Sequence, residues 1–267
     1  MMNRAVEADK VIIIKELEKD ILNNVYMYID ILTYGLDNDF MDVWVCREEN
    51  EIKQIVLKYY DSFQVYVAEG EYCYTDILKL ILEYQPAMVS GKADIIEKLY
   101  SKSNELSKLY KETYGVVLIQ PYVKLDKNIF SPELASKNDM EEIAQLICSD
   151  EGIGGHYDPV DLRDQLIRRY EDKTGRNYVI RKDGKIVAHY ATYAEAPGIA
   201  VMGGLIVSQE YRGKGYARLL HSYLANTLIT ENKKAVLFCH EENALNMYLK
   251  LGAEIYSRYG KLTLAKK

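Results

Sequence analysis

The chain has 267 residues, of which 48% are hydrophobic and 28% are charged. This length suits two domains that each bury a core, and the composition lacks the bias of disordered chains. The formal net charge of −6, without a dense Lys/Arg block, argues against nucleic acid as a partner. Four widely spaced cysteines with no short Cys/His spacing argue against a metal site or a disulfide framework.

Targeting signals are not expected either. Charged residues precede the short apolar run Val11 to Ile14, which is too short for the core of a signal peptide. No apolar stretch reaches the ~18 residues that would predict a membrane-spanning helix. We therefore expect a cytoplasmic protein with no membrane partner, acting as a monomer or a homodimer.

The first half is predicted to form a helix, an antiparallel meander and a closing helix-strand-helix-strand series. The meander is inferred from segments rich in β-branched and aromatic residues between turn-forming residues. Residues 122–132 are the expected boundary, which gives domains 1–126 and 127–267. The predicted helices are 10–23, 75–83 and 92–113, and the predicted strands are 25–34, 40–47, 52–60, 63–68, 87–90 and 116–120.

The second half is predicted to begin with two helices joined by a glycine-rich loop, Glu151 to Asp158, which is a candidate substrate loop. Asp183-Gly184 between two apolar runs indicates a hairpin, and Gly252 is expected to end the last helix. The predicted helices are 139–149, 159–173, 214–230 and 243–251, and the predicted strands are 178–181, 186–193, 199–207, 235–239 and a final pair.

The most informative segment is the turn that joins the strand ending at Val207 to the helix beginning near Lys214. Two glycines, Gly213 and Gly215, let the backbone approach a ligand, and the free amides of the first helical turn favour an anion such as a pyrophosphate. The spacing matches neither a P-loop nor a dinucleotide fingerprint.

This turn resembles the acyl-CoA motif of the GNAT superfamily of N-acyltransferases, which is Arg or Gln, two residues, Gly, one residue, then Gly or Ala. Arg212, Gly215 and Ala217 fill those positions, and Tyr248-Leu249-Lys250-Leu251-Gly252 is similar to the family's Tyr-x-Lys-Leu-Gly segment. The resemblance covers about residues 130–267. It implies a mixed, mostly antiparallel sheet flanked by helices, an α/β (α+β) fold.

The resemblance also implies site residues. Tyr248 would be the general acid that protonates the departing thiolate, because a phenol stays protonated at neutral pH. The backbone of the strand end would contact the pantetheine arm and direct an amide at the thioester carbonyl, and the family's asparagine role is carried to Asn243. The implied binding residues are Leu205, Ile206, Val207, Arg212, Gly213, Lys214, Gly215, Tyr216, Ala217 and Asn243.

The general base is left open by the sequence. Family members often carry a glutamate on the strand before the motif, where this chain has Met202, Gly203 and Gly204. His189 or Glu195 on the neighbouring strand is the candidate base, with Tyr193 as a further possibility.

The predicted function is acetyl or short acyl transfer from acetyl-CoA, as co-substrate, to a primary amine of a small molecule or peptide. The alternative is a non-catalytic acyl-CoA-binding sensor or scaffold, suggested by the missing glutamate. The first half repeats the order of elements loosely but lacks the motif, so we expect it to be a degenerate copy, with an unrelated α/β module as the alternative.

Overall fold

The computed structural model describes residues 1–49, 51–70, 73–102, 108–118, 132–150 and 158–264. The chain divides into two compact units. Unit 1 comprises Met1–Gly115, Phe238–His240 and Ile255–Lys267, and unit 2 comprises Val116–Leu237 and Glu241–Glu254. Most of the expected boundary, residues 122–131, lies outside the described residues, and the domain limits at 126 and 127 stay a prediction.

The strands of unit 1 follow the order β1-β2-β3-β4-β5-β12-β6, in which β12 is Ala253–Leu264. β2 pairs antiparallel with β1 and β3, β3 with β4, and β5 with β12, whereas β4 and β5 are parallel. Helical residues such as Ile77 and Ile96 share one buried cluster with strand residues such as Phe63 and Val89. The elements of this half are β1 (Asn3–Arg4), α1 (Lys10–Glu18), α2 (Val25–Tyr34), β2 (Met41–Glu48), β3 (Glu51–Tyr59), β4 (Ser62–Val67), α3 (Thr75–Tyr84), β5 (Met88–Lys92), α4 (Ala93–Lys102) and β6 (Lys108–Leu118).

The predicted strand at residues 25–34 is wrong, because the segment forms helix α2. Val25, Tyr28 and Ile29 are buried at helical spacing, so packing of this face overrides the β propensity of the residues. Gly35 follows with φ of +69° and donates its N–H to the carbonyl of Ile31. A glycine directly after the segment is the usual end of a helix.

The predicted helix at 92–113 is correct only in its first part, since the chain returns as strand β6 from Lys108. In β6 the hydroxyl of Thr113 donates to the carbonyl of Tyr259, a residue 146 positions later in the chain. Such a distant partner leaves no local pattern in the sequence.

The C-terminal segment forms one long strand, β12 (Ala253–Leu264), instead of the expected pair. Its residues from 255 belong to unit 1, where Tyr259 to Thr263 pair antiparallel with Lys92 to Met88 of β5. Unit 1 is therefore built from segments at both ends of the described chain.

The strands of unit 2 follow the order β11-β10-β9-β8-β7. β10 pairs antiparallel with β9 and parallel with β11. Met140, Ile143 and Leu166 from two helices share a buried cluster with Val179 and Ile206 from the strands. The elements are β7 (Glu133–Leu134), α5 (Met140–Cys148), α6 (Pro159–Glu171), β8 (Asn177–Lys182), β9 (Lys185–Ala196), β10 (Ile199–Val207), α7 (Tyr216–Thr230), β11 (Lys234–Cys239) and α8 (Glu242–Lys250).

The two halves of the chain repeat the same order of elements. Each has a short strand, two helices, three antiparallel strands, a helix, a parallel strand, a helix and a last strand. The predicted fold class is confirmed: an α/β fold with a mixed, mostly antiparallel sheet flanked by helices. Among the described helices, none combines the length and apolarity that crossing a bilayer requires.

Candidate functional site

A β-bulge interrupts strand β10 between Gly203 and Ile206. Gly203 is opposite Ala191 and Ile206 is opposite His189, so three residues along β10 correspond to two residues along β9. Gly204 has φ of +67°, a left-handed conformation that favours glycine. The extra residue turns the backbone of the strand locally, which changes the direction of its amides and carbonyls.

The other edge of β10 is open beyond its first residues. The parallel ladder with β11 runs from Ile199 to Val201, opposite Lys234 to Val236, and extends no further within the described residues. β10 nevertheless continues to Val207. The backbone of β10 that is not paired with β11 can therefore hydrogen-bond to an extended ligand, in the way that a sheet edge binds an additional strand.

The glycine turn directly follows this open edge. Gly213 and Gly215 have φ of +75° and +85°, and a Cβ added at either would meet no atom within 4 Å. The left-handed conformation, and not crowding by the protein, therefore requires glycine at both positions. The expected turn geometry is present.

Helix α7 begins at Tyr216 with its first amides uncapped by a side chain and with no acidic residue in its first turn. Unsatisfied N–H groups and the helix dipole make this end attractive to an anion.

Arg212 connects the turn to the end of β10. Its Nε donates to the Val207 carbonyl oxygen at 3.1 Å, and its Nη2 lies 2.7 Å from Asp150 Oδ2. Beside it, Lys214 Nζ lies 4.7 Å from the centroid of the Tyr211 ring. The structure thus brings the strand end, Leu205 to Val207, next to the turn that holds Gly213, Tyr216 and Ala217.

A cavity of about 350 Å³ lies between α7 and α8. Asn243, the residue expected to contact the cofactor, lines it together with Asn246 and Met247. Two basic residues, Arg218 and Lys250, also line this space. Amide and basic side chains therefore form part of the lining of this cavity, at the first turn of α7.

Tyr248 lies on α8 and is 6% exposed. Its ring centroid is 4.7 Å from that of His221 on α7, and His221 Nδ1 lies 3.4 Å from the Tyr190 hydroxyl. Burial lowers the pKa of His221 to about 4, so the ring is neutral at pH 7. Its Nε2 is buried without a hydrogen-bond partner among the described residues. Sequence reasoning missed His221; its one signal is a histidine within the apolar face of a helix.

His189 is fully buried and both of its ring nitrogens are engaged. Nδ1 lies 2.8 Å from the Gly204 carbonyl oxygen and Nε2 lies 2.9 Å from the Asn177 side chain. Burial lowers its pKa to about 4, against a smaller opposing effect of the bond to Gly204. A backbone carbonyl can only accept a hydrogen bond, so in the neutral ring Nδ1 carries the proton and donates to the Gly204 carbonyl oxygen. This hydrogen bond holds the bulge in place.

Glu195 lies in a cluster of ion pairs at the other end of β10, opposite Ala200. Arg176 Nε and Lys233 Nζ lie 2.7 Å and 2.6 Å from its oxygens, and Thr192 donates its hydroxyl. Burial raises the pKa of Glu195, but these donors outweigh it and the net pKa is lowered. A carboxylate held in this way is a weak proton acceptor. The assignment of His189 or Glu195 as the general base stays a prediction. The hydrogen bonds and ion pairs of both side chains argue against it.

Tyr193 is half-buried and covers the two glycines of the bulge. A Cβ added at Gly203 would lie 2.3 Å from its ring, and one at Gly204 would lie 2.5 Å from its hydroxyl oxygen. Of the candidate substrate loop, residues 151–157 lie outside the described residues. Within the described part of the chain, no group of three or more His, Cys, Asp or Glu side chains is arranged to hold a metal ion.

Comparison with known proteins finds one family match, in the second half of the chain. Residues 140–253 match the family model described as Acetyltransferase (GNAT) family. No curated protein matches the sequence significantly.

Solved structures resemble the full length of the chain. A Drosophila protein is 12% identical, with a TM-score of 0.72 over 99% of this chain and 98% of that one. A GCN5-related N-acetyltransferase from Sphaerobacter thermophilus is 16% identical, with a TM-score of 0.66 over 99% and 95%. A tandem GNAT protein from the clavulanic acid biosynthesis pathway is 12% identical, with a TM-score of 0.64 over 100% and 99%.

At these identities the structural likeness establishes the fold, and it extends to the half that lacks the glycine motif. The family match itself covers β10, the glycine turn, α7 and α8. The resemblance inferred from Arg212, Gly215, Ala217 and Tyr248 is confirmed: residues 140–253 match the model of the GNAT acetyltransferase family.

Proposed function

We propose that this protein transfers an acetyl or short acyl group from acyl-CoA to a primary amine. The observation that carries the proposal is the uncapped start of α7 behind Gly213 and Gly215, directly beside the open edge of β10. The amides of residues 212–217 would bind the pyrophosphate. Arg218 and Lys250 would meet the remaining phosphate of coenzyme A, because their cavity adjoins the same turn.

The strand end would hold the reacting group. With the pyrophosphate at the turn, the pantetheine arm lies along Val207 to Leu205, and the thioester comes next to the bulge at Gly204. An amide displaced from the ladder there would stabilise the oxyanion that forms as the amine attacks. The bond from nitrogen to the acyl carbon forms and the carbon–sulfur bond breaks.

Tyr248 would donate a proton to the sulfur as the thiolate leaves. Its burial excludes bulk water from the transfer, and a phenol keeps its proton at neutral pH. The amine must lose one proton in the same turnover. His189, Glu195 and Tyr193 remain the candidate acceptors, acting directly or through a water molecule.

Titration calorimetry with coenzyme A and acetyl-CoA tests the binding site, and Tyr248→Phe tests the acid. We expect Tyr248→Phe to lower kcat by about 10²–10⁴-fold with coenzyme A affinity retained. Tyr223→Phe is the matched control, because Tyr223 lies on α7 against Tyr178, away from the glycine turn. Wild-type turnover by Tyr248→Phe would refute the assigned acid, and no heat with either ligand would refute the site.

The second candidate function is an acyl-CoA-binding sensor or scaffold. It is favoured by the absence of an acidic side chain at Met202 to Gly204 and by the engaged state of His189 and Glu195. Thiol release detected with DTNB over a panel of amines separates the two functions. The exposed Cys73 would react with the reagent, so the assay uses Cys73→Ser protein with a blank that lacks acceptor.

A further inference from the structure

Arg169 and Tyr193 form a pair beside the bulge of β10. Arg169, on α6, places its Cζ 5.0 Å from the centroid of the Tyr193 ring. The same ring covers Gly203, and its hydroxyl oxygen lies close to Gly204. A cationic group thus lies over the ring that covers the bulge, beside which the thioester is expected.

The charge of Arg169 is not neutralised by any carboxylate of the described residues. Four other arginines of unit 2 each lie within 3.3 Å of a carboxylate oxygen, whereas Arg169 makes only the contact with the Tyr193 ring there. Its side chain is half-buried. A half-buried guanidinium without an anion loses solvation with little compensation, so an anionic ligand would stabilise it. The four paired arginines are Arg163, Arg176, Arg181 and Arg212.

The contact with the ring also orients the guanidinium. A guanidinium that lies over an aromatic ring keeps N–H groups that do not point at the ring, and two of them match the spacing of a carboxylate. A carboxylate bound there would be held near Gly204. An amine in the same molecule could then reach the thioester without a long connection.

We propose that Arg169 binds a carboxylate of the acceptor, so that the substrate is an amine that also carries a carboxylate, as an amino acid does. This inference rests on the proposed function, because it uses the bulge as the place of acyl transfer. Tyr193 is then a positioning residue that holds Arg169, and Arg169 determines specificity.

The test compares acids with neutral amides of the same size. N-acetyl glycine, alanine and leucine and their primary amides are titrated into the protein saturated with coenzyme A. We expect wild type to bind at least one acid about 10–100-fold more tightly than its amide, as charge-assisted hydrogen bonds allow. Arg169→Gln should lose that preference and keep its affinity for coenzyme A. Arg168→Gln, a change at the exposed neighbouring residue, should retain the preference.

Turnover gives a second readout. For the free amino acids and their amides, the ratio of kcat/KM values should favour the acid in wild type and fall towards one in Arg169→Gln. Tyr193→Phe should keep the ratio, since it keeps the ring, whereas Tyr193→Leu should lower it. A melting curve for each variant checks folding.

The outcomes separate the two proposals. Normal coenzyme A binding with equal affinity for acids and amides, or with no acid bound, overturns the carboxylate site alone. A preference for acids that survives in Arg169→Gln also overturns it. Failure of wild type to bind coenzyme A overturns the proposed function, and the carboxylate site with it.

Discussion

Gly204 gives the sharpest test of how the bulge is built, because replacing it with alanine adds a single methyl group at a constrained point. The new Cβ would lie 2.5 Å from the Tyr193 hydroxyl oxygen and 3.3 Å from His189 Cε1. The backbone is also left-handed there, with φ of +67°. Gly184 offers a matched control, since its φ is +78° and an added Cβ would meet nothing within 4 Å.

The two penalties can be separated. The left-handed conformation costs an alanine ~1–2 kcal/mol at either site. Overpacking against Tyr193 and His189 adds ~1–3 kcal/mol at Gly204 alone. We expect Gly184→Ala to lose ~1–2 kcal/mol of unfolding free energy and Gly204→Ala to lose ~2–5 kcal/mol. Gly204→Ala should also weaken coenzyme A binding, because the backbone beside the thioester must move.

Urea unfolding followed by far-ultraviolet circular dichroism measures the difference. Fluorescence is unsuitable, because Trp44 is the single tryptophan and lies in unit 1. A double-mutant cycle with Tyr193→Ser isolates the clash, since removing the ring should recover most of the extra loss in Gly204→Ala. Equal losses for Gly204→Ala and Gly184→Ala, or no coupling to Tyr193, would refute the packing argument.

Two further predictions concern charged groups. Arg212→Ala removes the hydrogen bonds to Val207 and Asp150. Because hydrogen bonds to charged groups contribute ~1.5–3 kcal/mol, the Kd for coenzyme A in calorimetry should rise by about 10-fold or more. An unchanged Kd would show that the turn does not depend on these hydrogen bonds. For Glu195, a folded pKa below its unfolded value means stability that is present above pH ~4.3 and is lost as pH falls through the lowered folded pKa. In Glu195→Gln, the free energy of unfolding measured by urea titration should fall less steeply as the pH is lowered. If it depends on pH in parallel with the wild-type value, the ion-pair account is contradicted.

The glycine turn could be predicted from the sequence because its backbone conformation requires particular residues. Gly213 and Gly215 adopt left-handed conformations that few other residues tolerate, and the helix begins directly after them. Asp183-Gly184 likewise has positive φ at both residues, as a tight hairpin requires. In both cases the conformation of one or two residues decides the structure, so the signal is local.

Packing between segments that are distant in the chain could not be predicted from the sequence. The segment at 25–34 has strand-like residues, yet its burial at helical spacing makes it α2. His189 and His221 are similar in sequence context, and only the structure shows that one is bonded to Gly204 and the other packs against Tyr248. These differences depend on partners far along the chain, which composition and periodicity do not specify.

The pairing of Tyr259 to Thr263 with β5 has a consequence for synthesis of the chain. Residues 88–92 leave the ribosome about 170 residues before the strand that completes their sheet. Until then β5 carries an exposed edge with unpaired amides and carbonyls, which invites association between nascent chains. The first unit to be translated is thus among the last to be finished, and the long sequence separation should make its folding slow.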